Sequence, residues 1–194
     1  MDSQNRPGAW KDPGEEAALV SRAQRGDRAA FLTLLRYYDR SVHRIIYALC
    51  RDPAQAAALT HTAFVRAWSS MKNIPAGQNF YPWLTRLARG LAITQARRGP
   101  AHVEPGVRDL PGFDAAAEAS GDPTDAERAA RCERAFTDLN IDQQTILVLR
   151  VAERLSYAEI AKTLDIPFGA TLSRIAAARA ALRARMAEPG EKAA

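Results

Sequence analysis

The chain predicts an all-α protein: two small helical domains joined by a flexible acidic linker. Three observations lead there. Apolar residues recur at three- and four-residue steps over residues 29–49 and again over 59–68, 83–93 and 136–149, the period of an amphipathic helix. Between residues 99 and 125 that period stops, and Pro100, Pro105, Pro111 and Pro123 alternate with Gly99, Gly106, Gly112 and Gly121. Beyond it, Ser156 to Arg174 reads as a short helix, a tight break and a second helix. No convincing strand and no internal repeat stand out.

In chain order, residues 1–14 are polar, carry Pro7 and Pro13, and read as a flexible tail. A first helix is expected from about Glu15 to Arg25, with Gly26-Asp27 ending it and capping the next. Phe31, Leu34, Leu35, Tyr38, Val42, Ile45, Ile46 and Leu49 then form one long apolar stripe, with a break near Asp39 left open. Arg51-Asp52-Pro53 is a turn, and Leu59, Ala63, Phe64, Ala67 and Trp68 mark another helix. A loop from Lys72 to Tyr81 contains Pro75 and Gly77. Pro82 opens a last helix carrying Trp83, Leu84, Leu87, Leu91 and Ile93. These elements make a first domain over residues 15–98.

In the linker, Glu104, Asp109, Asp114, Glu118, Asp122 and Asp125 face only Arg108, so the segment reads as an acidic tether. The second domain spans 126–188, with a tail over 189–194. Phe136, Leu139, Ile146, Leu147 and Leu149 lead into the helix pair. Ser156 with Glu159 is a capping box. Ile160, Ala161 and Leu164 share one face, and Asp165-Ile166-Pro167 stops one helix and starts the next. That pairing is a helix-turn-helix, whose second helix can lie in the DNA major groove.

Composition narrows the function classes. Of 194 residues, 47% are apolar, as in folded proteins. Lys and Arg number 27 against 22 Asp and Glu, a net charge of +5 that fits a nucleic-acid partner without demanding one. Cys50 and Cys132 read as buried thiols in a reducing compartment. His43, His61 and His102 are scattered, no Cys/His spacing suits a metal, and no cofactor is expected. No Ser/His/Asp, Cys/His or paired-carboxylate cluster and no Gly-rich phosphate loop points to an enzyme. No segment has the length and apolarity of a membrane span, and none resembles a signal core, so a cytoplasmic protein is expected.

The placement of charge says more than its sum. From Trp83 to Arg98 there is no acidic residue, and Arg86, Arg89, Arg97 and Arg98 lie there. From Ile166 to Ala187 the same holds, with Arg174, Arg179, Arg183 and Arg185. Both stretches suit phosphate contacts, so both domains are expected to turn a cationic surface to the same duplex. Thr171, Ser173 and Arg174 fall in the first two turns of the second helix, where base edges are met. Arg179 and Arg183 lie further along and suit backbone phosphates. Of the aromatics before the first basic helix, Phe80 and Trp83 are expected to close the core, whereas Tyr81 is expected to be exposed for stacking on an unpaired base.

The layout resembles the small, two-domain RNA polymerase sigma factors of the extracytoplasmic-function (ECF) type over residues 17–98 and 128–187. Phe64-Val65-Arg66-Ala67-Trp68 is similar to the family's Phe-x-Arg-Ala-Trp, and Trp83-Leu84-Thr85-Arg86-Leu87-Ala88-Arg89 to its Trp-Leu-x-x-Ile-Ala-Arg. Leu155-Ser156-Tyr157, Glu159-Ile160-Ala161 and Gly169 with Ser173-Arg174 resemble its promoter-reading helix pair. The resemblance implies that the helix around Arg51 to Trp68 docks on RNA polymerase core, with Leu59, His61, Thr62, Val65 and Arg66 at the contact. It implies that the segment from Lys72 to Arg98 holds the minus-ten promoter element as single strand, and that the helix from Pro167 reads the minus-thirty-five element. An anti-sigma factor is an implied partner.

This chain also departs from the pattern. Ala58-Leu59-Thr60-His61-Thr62 stands where the family carries Asp-Leu-Val-Gln-Glu. Gly90 replaces an asparagine, and Ala177 an arginine. Two other readings compete: a sigma-like decoy that binds an anti-sigma factor without initiating, and a stand-alone helix-turn-helix regulator.

Overall fold

A computed structural model of the chain describes residue 10 and residues 13–75, 79–98 and 123–187. Helices α1 (Pro13–Gln24), α2 (Arg28–Cys50), α3 (Pro53–Ser70) and α4 (Phe80–Arg98) form the N-terminal unit. Helices α5 (Pro123–Thr137), α6 (Ile141–Leu147), α7 (Tyr157–Leu164) and α8 (Phe168–Ala187) form the C-terminal one. Among the described residues there is no strand, and no helix is long and apolar enough to cross a membrane. The expected acidic linker falls outside the described residues except for its end, where α5 already begins at Pro123.

The helix boundaries follow from capping chemistry. Asp27 accepts from Ala30 N at 3.1 Å to start α2, and Asp52 accepts from Gln55 N at 3.0 Å to start α3 with Pro53 behind it. Between them Arg51 takes a left-handed φ of 57° and closes α2 through Tyr47 O. Helix α2 runs unbroken past Asp39, because Tyr38, Ser41 and Val42 bury its inner face on both sides of that residue. Burial of side chains such as Leu34, Ile45 and Ile46 contributes about 1.5–3 kcal/mol each.

Helix α4 starts at Phe80, ahead of Pro82, which sits in the first turn where its missing N–H is not needed. This start draws both Phe80 and Tyr81 inward. The Tyr81 ring stacks on Tyr38 with centroids 5.3 Å apart, and Tyr81 is only 4% exposed. The expectation that Tyr81 faces solvent is therefore corrected: a helix beginning two residues early turns it toward α2.

In the C-terminal unit, Asn140 with Gln143 and Ser156 with Glu159 each form a reciprocal capping box. Helix α6 continues into a π-helical turn, Val148–Ala152, and Arg154 at φ 55° reverses the chain. Asp165, left-handed at φ 56°, makes the break of the helix-turn-helix. Cys50 and Cys132 are free and only half-buried.

The two units are packed together. Helix α2 lies against α6 and the π-turn, and α4 lies against α7. One continuous cluster of buried residues runs from Leu34 and Ile45 of the first unit to Leu149 and Ile160 of the second.

Candidate nucleic-acid interface

Around that shared apolar cluster, the junction between the units is edged by arginines of the first and oxygen atoms of the second. Arg86 Nη1 approaches Lys162 O and Thr163 O at 3.4 Å each. Those carbonyls belong to the last turn of α7, where a cation meets the negative end of a helix. Arg89 pairs with Asp142, and its Nε lies 3.4 Å from Thr145 Oγ1. Arg51 pairs with Glu133 and places its guanidinium over the Phe136 ring. Arg44 Nη1 donates to Ala152 O at 2.9 Å.

Glu153, at the end of the π-turn, is the buried centre of this junction, 1% exposed. Ser41 Oγ donates to its Oε2 at 2.5 Å. A hydroxyl has one proton, so Tyr81 is the donor across its 3.1 Å contact with Ser41. Oε1 lies 3.1 Å from Arg44 Nη1, an ion pair whose angle falls outside hydrogen-bond geometry. Burial pushes the Glu153 carboxyl above its ordinary range, with Ser41, Arg44 and Tyr81 pulling the other way. Burial likewise holds the Tyr81 phenol protonated, further favoured by the Glu153 charge.

The expected DNA contacts divide into two groups. Arg86 and Arg89 face the C-terminal unit rather than open solvent, and Tyr81 is internal. The expectation that both cationic surfaces lie open together is corrected here, since oxygens of α6 and α7 occupy the first. Arg97 is exposed, and Arg98 is the last residue of α4. On α8, Thr171 is fully buried and its Oγ1 lies 3.3 Å from Pro167 O, so this residue supports the turn instead of meeting a base. Ser173 is exposed, with Oγ bonded back to Gly169 O and Ala170 O. Arg174, Arg179 and Arg183 are exposed, and no acidic residue among those described pairs with them. Arg174 lines a cleft of about 340 Å³ together with Arg89, Asp142 and Leu164.

On α3, His61, Val65 and Arg66 are exposed along one side. Leu59 packs against the core, and Thr62 bonds back to Ala58 O at 2.9 Å. The exposed side of α3 carries no carboxylate.

Two halves of one known architecture match this arrangement. Residues 34–100 match Sigma-70 region 2, and residues 131–182 match Sigma-70, region 4. The RNA polymerase sigma-H factor of Pseudomonas aeruginosa is 31% identical over 87% of this chain and 92% of its own length. The ECF RNA polymerase sigma-E factor of Haemophilus influenzae is 30% identical over 84% of this chain and 91% of its own. The chain belongs to the extracytoplasmic-function sigma factors.

Such a sigma factor directs RNA polymerase to promoters; the family comprises initiation factors rather than enzymes. Its fold also resembles CnrH, solved in complex with the cytosolic domain of CnrY. That match has a TM-score of 0.66 and 19% identity over 88% of this chain and 96% of the other. The sigma factor RpoE of Bartonella quintana, solved with the anti-sigma factor NepR, gives a TM-score of 0.57 at 19% identity, over 82% of this chain and 98% of the other.

Sequence reasoning missed Glu153, Ser41, Asp142 and Trp10. The first three look like ordinary polar positions, and the packing of the two units pairs Ser41 with Glu153 and Asp142 with Arg89. Trp10 sits in the expected tail, yet its ring stacks on Tyr37 at 4.2 Å and its Nε1 donates to Tyr38 Oη at 2.8 Å. A lone tryptophan in a polar stretch was the available signal.

Proposed function

We propose that this sigma factor rests in a closed form and opens to engage a promoter on RNA polymerase. The observation that carries the reading is the occupation of Arg86 and Arg89 by Asp142 and the α7 carbonyls. Glu133, Asp142 and Glu153 hold the arginines of the first unit much as DNA phosphates would. Opening exchanges these oxygens for phosphates of the minus-ten region, while α8 engages the minus-thirty-five region. The Arg51–Glu133 and Arg89–Asp142 pairs are partly exposed, and such pairs are worth about 0–1 kcal/mol each, so a polyanion can compete for those arginines. The exposed side of α3, with His61, Val65 and Arg66, is the proposed polymerase contact. An anti-sigma factor, of the kind solved with the Bartonella quintana protein, would keep the closed form closed.

The absence of carboxylates on α3 favours a second reading, a decoy that binds an anti-sigma factor without initiating. One experiment separates the two. The protein is mixed with core polymerase, the complex is captured, and transcription is run on genomic fragments. A stable complex and discrete start sites are expected. No complex at micromolar concentration would favour the decoy over initiation.

A further inference from the structure

The outer face of α8 carries a feature that phosphate binding does not use. Phe168 is 53% exposed and Leu172 43% exposed, at the start of the helix and one turn apart on the same side. The neighbouring face is the one that folding needs: Thr171, Ile175 and Ala178 are buried there, beside the two exposed side chains. Two large apolar groups side by side in water, on a helix otherwise studded with arginines, form a small apolar edge that a partner can cover.

The surroundings specify that partner. Helix α8 contains no acidic residue, and Arg174, Arg179, Arg183 and Arg185 are exposed along it, so an anionic surface is selected. Ser173, the exposed hydroxyl of the first two turns, is bonded to carbonyls of its own helix. Gly169 adjoins Phe168 on the exposed side, and a Cβ there would meet nothing within 4 Å. The fold therefore does not require a glycine at 169, although glycine weakens a helix. Its missing side chain lets a surface approach the backbone closely. In the major groove of a duplex the apolar feature presented by a base pair is the thymine C5-methyl group.

We propose that Phe168 and Leu172 form an apolar reading edge that selects thymine in the upstream promoter element, by packing on C5-methyl groups in the major groove. The inference rests on the sigma-factor reading and adds the chemistry by which α8 discriminates. Arg179 and Arg183 lie on the same flank about two to four turns further on and clamp the phosphates of the groove wall. Arg174 flanks the other side.

The test uses holoenzyme assembled from core polymerase and a promoter mapped by transcription. Each thymine of the upstream element is replaced in turn by deoxyuridine, which keeps every hydrogen bond and removes only the methyl. Affinity is expected to fall about fourfold at one or two positions, the equivalent of one buried methyl. In Leu172→Ala or Phe168→Ala holoenzyme the thymine and uracil duplexes should bind alike at the position that residue reads. Both changes are at exposed sites, and circular dichroism checks that α8 is retained. Equal binding of thymine and uracil duplexes by the unaltered holoenzyme at every position overturns the reading edge while leaving the sigma function intact. Undiminished uracil sensitivity in both variants overturns it too. A holoenzyme that binds no promoter overturns the sigma reading and the inference with it.

Discussion

Helices α4 and α8 carry similar basic stretches, yet the fold treats them in opposite ways. Arg86 and Arg89 of α4 are turned onto oxygens of the other unit, whereas Arg174, Arg179 and Arg183 of α8 have no acidic partner among the described residues. The difference lies in what surrounds each helix. Helix α4 packs on α7, whose last turn offers free carbonyls, and faces Asp142 at the start of α6. Helix α8 uses its small and apolar side, Thr171, Ile175 and Ala178, to pack, which leaves its arginines outside. A run of arginines without acids is thus no guarantee of an open cationic surface. The rest of the fold decides whether an internal anion takes the place of DNA.

The largest way to break this contrast is at Glu153. Glu153→Arg sets a cation against Arg44 in a buried site and is expected to cost closure about 3–5 kcal/mol. Both units should stay helical by circular dichroism while the radius of gyration from solution scattering rises. An unchanged radius would mean that the junction does not depend on this carboxyl.

Acidity should act on the same group in the other direction. Burial raises the Glu153 carboxyl above the ordinary 4.5 in the closed form, against Ser41, Arg44 and Tyr81, whereas on opening it returns to water. Closure therefore takes up a proton, so the closed form gains as pH falls toward the ordinary value and loses as pH rises through the raised one. Hydrogen exchange of the amides of α4 should slow, relative to reference peptides, as pH is lowered from neutrality toward the ordinary carboxylate range. Glu153→Gln should remove that dependence.

Smaller effects sharpen the comparison. Arg174→Ala is expected to weaken binding to the upstream element by about 1–3 kcal/mol if the guanidinium reads a base. Footprinting with holoenzyme reads that loss, and an unchanged footprint assigns Arg174 to the cleft it shares with Arg89. Arg183→Ala should weaken all promoters alike and lower the slope of log affinity against log salt by about one. The smallest change is Asp142→Asn, which frees Arg89 from a partly exposed ion pair worth about 0–1 kcal/mol. It should raise single-stranded minus-ten binding slightly in a gel-shift titration, and a fall would place Asp142 on the DNA-binding side.

Most of the fold was legible because it depends on local chemistry. Asp27, Asp52 and Ser156 each cap the helix that follows, and the stripe from Phe31 to Leu49 is the buried face of α2. The candidate site was half legible. Arg179 and Arg183 are exposed as their positions on α8 imply, but Thr171 and Tyr81 are buried. Helical period alone does not show which flank of a helix meets its neighbours. Leu59 illustrates the same limit, since a packed partner draws it inward while Val65 remains outside.

The residue order by itself determined the helices, their caps, the Asp165 break and the two-part family pattern, because these depend on neighbours a few positions away. Only the tertiary structure decided that Ser41 and Glu153, 112 residues apart, are hydrogen-bonded, and that one basic helix is covered while the other stands open. Such pairings depend on how two folded surfaces fit, and no short-range periodicity carries that information.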